Sequence, residues 1–219
     1  METKPLELKS PQETQTGSRS LLYSLFSRSF RFPQPELYES VKAGQFSEQI
    51  QASIANLPHN GLKAGELGRG MGVDYDKFQS NYIGLFEVGG ESGPPAPLYE
   101  GEYGGGRLKV MEEVLRFYHH FGLRLSTEKR DRPDHLATEM EFMHLLTFKE
   151  AEALLQGKTK AAYVNAQRDF LRYHVGDLVS SVSRRLGNRA VPFYQDLVAL
   201  ANTFCQNELA FLLNVDQGG

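Results

Sequence analysis

Asp131-Arg132-Pro133-Asp134-His135-Leu136 opens the best-marked helix of the chain, which runs on through Glu139, Glu141, Phe142, Met143 and His144 to about Gln156. Asp131 is placed as its N-cap. Pro133 falls in the first turn, and Asp134, three residues after the cap, brings a carboxylate to the positive end of the helix. Gly157 follows as a stop.

The segments on either side repeat this helical pattern. Upstream, Leu108, Met111, Leu115 and Tyr118 are spaced for one helix face, with Gly122 after them, and Asp74 can cap a helix carrying Phe78, Tyr82, Leu85 and Phe86. Two short helices are expected over Pro35 to Ala43 and Phe46 to Leu57, around Gly44. A stripe of Leu22, Leu25, Phe26 and Phe30 marks Ser18 to Phe30, which Pro33 ends. Downstream, Val164, Leu171, Val175, Leu178 and Val182 form one more helix, closed by Arg184-Arg185 and Gly187. Leu197, Leu200, Phe204, Phe211 and Leu212 form the last.

Composition agrees, with 28 Leu against 3 Ile and 12 Val, since β-branched residues are those strands prefer. No segment alternates as a half-buried strand does. The expected fold is therefore all-α: a single globular helical domain of about eight to ten helices over residues 18–214. A flexible polar tail is expected over 1–17 and a short one over 215–219. Two loops interrupt it, at 58–72 and 88–106. The second holds Pro94, Pro95 and Pro97 and places Glu87, Glu91, Glu100 and Glu102 in a stretch without a basic residue between Lys77 and Arg107.

The balance of 24 basic and 27 acidic residues gives a net charge of −3, which argues against a general nucleic-acid or anionic-membrane binder. Cys205 is the single cysteine, so neither an internal disulfide nor a cysteine zinc site can form. No apolar run reaches the 18 or so residues of a membrane span, and residues 1–20 lack the apolar segment of a secretion signal.

Several motifs have both a chemical and a plain reading. Glu141-x-x-His144 is the pair that di-iron helical bundles use. With His135 and Glu139 it offers a helical metalloprotein as an alternative, although no second such pair occurs in the chain. The glycines at 68, 70, 72 and 104–106 invite a weak nucleotide-binding reading, but neither cluster follows a strand or ends in Gly-Lys-Ser/Thr. His119-His120 and Cys205 lack the partners that nucleophilic catalysis requires. The aromatic stripe at 82–86 running into the acidic loop, taken with the Asp131–Leu136 helix start, suggests an apolar groove with an acidic rim. Such a groove suits a peptide with an apolar middle and basic residues at one end.

These residues carry a resemblance. Pro133-Asp134-His135-Leu136 with Glu139, Glu141, Phe142 and Met143 resembles the P-D-H-L-x-x-E-x-E-F-M hallmark of the TorD/DmsD/NarJ-type redox enzyme maturation chaperones. Tyr82-x-x-Leu85-Phe86 resembles the family's aromatic-x-x-Leu-Phe motif, and Pro97-Leu98-Tyr99-Glu100 its proline–tyrosine segment. Asn81, Gly84 and Gly101 depart from it, where an acidic, a basic and a small hydroxyl residue are frequent.

The resemblance implies a cytoplasmic chaperone with no catalysis and no cofactor of its own. Its expected partner is the apo form of a DMSO-reductase-family molybdoenzyme subunit and its twin-arginine signal peptide. The chaperone would hold this client until the molybdopterin cofactor is inserted and block premature export. Leader contacts carry over onto Tyr82, Leu85, Phe86, Asp134 and His135, with Tyr99 and Glu100 added. The oligomeric state is open between a monomer and a domain-swapped dimer.

Overall fold

The computed structural model describes residues 7–59, 61–65, 67–68, 72–89, 91, 93–124, 132–187, 189 and 191–215. Among them are nine α-helices and no β-strand, as an all-α chain requires. They are α1 (Pro11–Ser29), α2 (Pro35–Lys42), α3 (Gln45–Ile54), α4 (Tyr75–Tyr82), α5 (Arg107–His120), α6 (Leu136–Leu155), α7 (Ala161–Phe170), α8 (Gly176–Leu186) and α9 (Pro192–Val215). Helix α4 runs on into a π-turn at Ile83–Glu87, and a second π-turn at Leu171–Val175 joins α7 to α8. No helix among the described residues is long and apolar enough to cross a membrane.

Two helix starts differ from the sequence reading. The tail expected over 1–17 is helical from Pro11: Ser10 Oγ accepts from Glu13 N at 3.2 Å, and the Glu13 carboxylate accepts from Ser10 N at 3.0 Å. This reciprocal capping box, with Pro at the first helical position, nucleates α1 about three turns before its apolar stripe begins at Leu22. The cap of α6 is His135, whose Nδ1 accepts from Ala137 N at 3.1 Å. Asp131, expected in that role, lies outside the described residues, as do residues 1–6, Gly70 and 216–219. The Asp74 cap forms as read, accepting from Lys77 N at 2.8 Å.

Helices α1 and α6 pack along their length and form the centre of the molecule. Serines let them approach: Ser20 Oγ meets His144 Nδ1 at 2.9 Å, and Ser27 Oγ donates to Ala137 O at 2.8 Å. Next to these serines on α1, Tyr23 and Phe26 pack on Phe204 of α9. A polar knot ties these elements together. The buried Arg19 guanidinium donates to Glu208 at 2.9 Å, to Glu150 at 2.9 Å and to Gln167 at 2.6 Å, bridging α1, α9, α6 and α7. His59 Nε2 lies 2.6 Å from Glu208 and fastens the loop after α3 to the same knot.

Candidate functional site

Phe78, Tyr82, Leu85 and Phe86 face inward, with Leu85 at 5% exposure and Tyr82 and Phe86 at 1%. Their spacing of four, three and one residues keeps them on one side of α4 and of the π-turn that continues it. Tyr82, Phe86 and Tyr194 meet edge to face, Phe78 stacks on Tyr194, and Tyr82 Oη donates to Phe30 O at 3.0 Å. These side chains form core, not the open wall of a groove. What faces outward beside them is Phe32, Ile83 and Val88.

The loop that follows is pinned, not loose. Ala96 N donates to Leu85 O at 2.9 Å, Leu136 N to Leu98 O at 2.8 Å, and Glu100 N to Asp134 O at 2.9 Å. Three stretches far apart in sequence, 82–86, 96–100 and 134–136, are thereby joined through their main chains into one ledge. Tyr103 Oη donates to Pro97 O at 2.8 Å and Tyr118 Oη to Pro133 O at 2.9 Å, buttressing it from both sides.

Each predicted residue has a definite place on this ledge. Asp134 is fully buried and accepts from Gly101 N at 3.0 Å and from Arg132 through Nε at 3.0 Å and Nη2 at 2.7 Å. It therefore braces the loop and does not cap α6. A Cβ on Gly101 would stand 3.0 Å from Arg107 Cα and 3.1 Å from Asp134 Oδ2, so this approach leaves room for little beyond glycine. Tyr99 and His135 are half-buried, paired edge to face with ring centres 4.8 Å apart, and form the outer face. Glu100 is half-buried and turned inward, its carboxylate 3.0 Å from His174 Nδ1.

The sequence reading missed two residues of the site, Arg132 and His174, and read Glu102 only as part of an acidic stretch. The rim expected to be acidic is internally neutralised. Arg132 bridges Asp134 and Glu102, Arg107 also reaches Glu102 at 3.2 Å, and Arg31 pairs with Glu141. Burial, followed by the charge of Glu100 beside it, pushes the Glu139 carboxyl well above the usual carboxylate range. Neither Glu139 oxygen meets a hydrogen-bond donor of good geometry. Burial also raises Glu87 and Tyr118.

The metalloprotein alternative does not survive this arrangement. His135 caps α6, Glu141 turns to Arg31, and His144 turns to Ser20. Among the described residues no group of three His, Cys, Asp or Glu side chains could hold a metal ion.

Comparison with known proteins shows the family. The nitrate reductase delta subunit family matches residues 47–179, which contain all three joined stretches. The chlorate reductase assembly chaperone protein of Ideonella dechloratans is 38% identical over 146 residues, covering 66% of this chain and 72% of that one. The perchlorate reductase assembly chaperone protein of Dechloromonas aromatica (strain RCB) is 28% identical over 207 residues, covering 90% and 92%. In fold, the chain is similar to a crystal structure from Archaeoglobus fulgidus assigned as a redox enzyme maturation protein. The TM-score is 0.50 at 18% identity, over 96% of this chain and 99% of that one. With the family pattern spanning more than half of its length, and the helical architecture shared along nearly all of it, the chain belongs to the nitrate reductase delta subunit family, the TorD/NarJ-type chaperones.

Proposed function

We propose that this chain is the assembly chaperone of a molybdoenzyme reductase, that it works in the cytoplasm without catalysis of its own, and that it binds the apo catalytic subunit with its twin-arginine leader. The observation that carries the reading is the ledge: three family motifs joined by main-chain hydrogen bonds, with Tyr99 and His135 turned outward. Tyr82, Leu85 and Phe86 serve the contact from beneath by fixing where the ledge stands, and Asp134 is the buried carboxylate at its floor. Tyr99, His135 and the exposed Phe32, Ile83 and Val88 touch the client, and Glu100 sets the position of Tyr99.

A leader's apolar segment would find aromatic and aliphatic side chains there, each worth roughly 1.5–3 kcal/mol on full burial before ordering costs are subtracted. Holding the apo subunit open until its cofactor enters, and holding its leader back from export, follow from one bound state.

The test is coexpression with a molybdoenzyme catalytic subunit, followed by calorimetry with its synthetic leader peptide. A stable complex with the apo subunit is expected, and Tyr99→Ala should weaken leader binding by tenfold or more while leaving the helical circular dichroism unchanged. Failure to bind either apo subunit or leader would overturn the reading.

A further inference from the structure

Asp134 and its surroundings have the form of a receptor for one guanidinium group. The carboxylate at the floor is completely buried, and the Arg132 fork meets it with two donors, at 3.0 and 2.7 Å. The guanidinium lies over the Tyr99 ring with its carbon 4.4 Å from the ring centre, and its third nitrogen donates to Glu102 Oε1 at 3.1 Å. The fork and the stack on the aromatic face distinguish arginine from lysine, and the outer carboxylate takes up the remaining nitrogen.

The occupant, however, is the chain's own residue. Arg132 keeps 22% of its side chain in water. The ledge does not depend on that side chain for its path: Pro133 O, the Asp134 main chain and Leu136 N are held by Tyr118, Glu100 and Leu98. Glu102 keeps Arg107 as a second partner. The Arg132 side chain can therefore swing out while the floor, wall and outer carboxylate stay in place.

We infer that Asp134, Tyr99 and Glu102 form a binding site for a single arginine side chain of the client, and that Arg132 fills it in the free protein as an internal competitor. This rests on the leader reading above for the source of the arginine. A buried carboxylate cannot be left without its cation, so the site passes directly from one arginine to the other. Exchange replaces like bonds by like, which makes the site selective for arginine at modest affinity. A lysine offers neither the fork nor the planar stack, so the exchange fails for it.

Two measurements separate this inference from the reading it rests on. In the first, Arg132→Ala is expected to melt at a lower temperature than wild type. N-acetyl-arginine methylamide should restore much of that loss, its lysine counterpart should not, and wild type should not respond to either. Rescue that persists when Asp134→Asn is added would overturn the site. In the second, the twin-arginine leader should bind Arg132→Ala five- to tenfold more tightly than wild type, and the same leader with two lysines should show no gain. Unchanged or weaker binding of the arginine leader would overturn the competition. If Arg132→Ala does not fold, Arg132→Lys serves, because it keeps the charge on Asp134 but gives up the fork and should still show a severalfold gain. Arginine rescue without any leader binding would uphold the site and refute the leader reading; leader binding without rescue would do the reverse.

Discussion

Two buried acid clusters hold this protein together, and they are built on opposite plans. Around Arg19 almost every lone pair has a donor. Glu208 accepts from Arg19, Tyr23 and His59, and Glu150 accepts from Arg19, Gln167 and Lys160. Around Asp134 the account is uneven: Asp134 is saturated, Glu100 shares His174, and Glu139 has no good donor although it is fully buried. The first cluster joins four helices. The second lies directly under Tyr99 and His135. The first cluster is saturated, whereas the second combines an arginine that keeps 22% of its side chain in water with a buried acid whose pKa is raised and which lacks a donor.

The largest effect should come from cutting the knot. Arg19→Met leaves two buried carboxylates short of their shared cation, and truncating one partner of such a network costs roughly 3–5 kcal/mol. Urea titration should show the midpoint collapse or the variant fail to fold. A loss under about 1 kcal/mol would mean that His59 and Lys160 suffice to hold the carboxylates, and that the two clusters are less different than their bonding suggests.

Next in size is a pH effect of opposite sign in the two clusters. Burial alone would raise the Glu208 carboxyl, but Arg19 and then His59 outweigh it and hold it below the usual carboxylate range. Its stabilisation is present above the unfolded value of about 4.5 and is lost as the pH falls beneath it. Glu139 runs the other way, because its folded pKa is raised. Below about 4.5 both folded and unfolded states carry its proton; above that the unfolded chain releases the proton while the fold retains it, so stability falls as the pH climbs toward the raised value. The slope from one proton is at most about 1.4 kcal/mol per pH unit. Glu139→Gln should remove this decline, so that the variant gains on wild type as pH rises from 4.5 to 7, read from thermal melts across that range. Parallel profiles for the two proteins would show that Glu139 is already ionised in the fold.

How much of this could be read from the chain alone depends on the distance over which each feature acts. Helix periodicity is local, and so the stripes at 22–30, 78–86 and 164–182 mark real helices. The α1 cap is legible too, as Ser10-Pro11-Gln12-Glu13, although the residues between it and Leu21 are polar or small and show no stripe. Arg132 is the nearest to legible: it stands two residues before Asp134 in a turn that His135 N closes on Arg132 O at 3.3 Å, which brings the two side chains together. The burial of Glu139 was also foreshadowed, since it follows Leu136 by three residues and precedes Met143 by four, on the apolar face of α6. Nothing local joins Arg19 to Glu208 across 189 residues, or Glu100 to His174 across 74. The neutral rim is illegible for the same reason where Arg132 reaches Glu102 across 30 residues and Arg31 reaches Glu141 across 110.

The smallest effect on stability should separate cap from contact at His135. Its Nδ1 serves α6 by accepting from Ala137 N, while the ring packs edge-on against Tyr99 at the outer face. Asparagine is among the better N-cap residues, and exchanging one good cap for another changes stability by a few tenths of a kcal/mol, against about 1 kcal/mol for alanine. His135→Asn should therefore melt within a degree or two of wild type, and His135→Ala several degrees lower. If the ring is part of the partner surface, the two variants should lose leader affinity to a similar degree despite their unequal stabilities. Loss confined to alanine would instead assign His135 to the helix alone and leave Tyr99 as the contact.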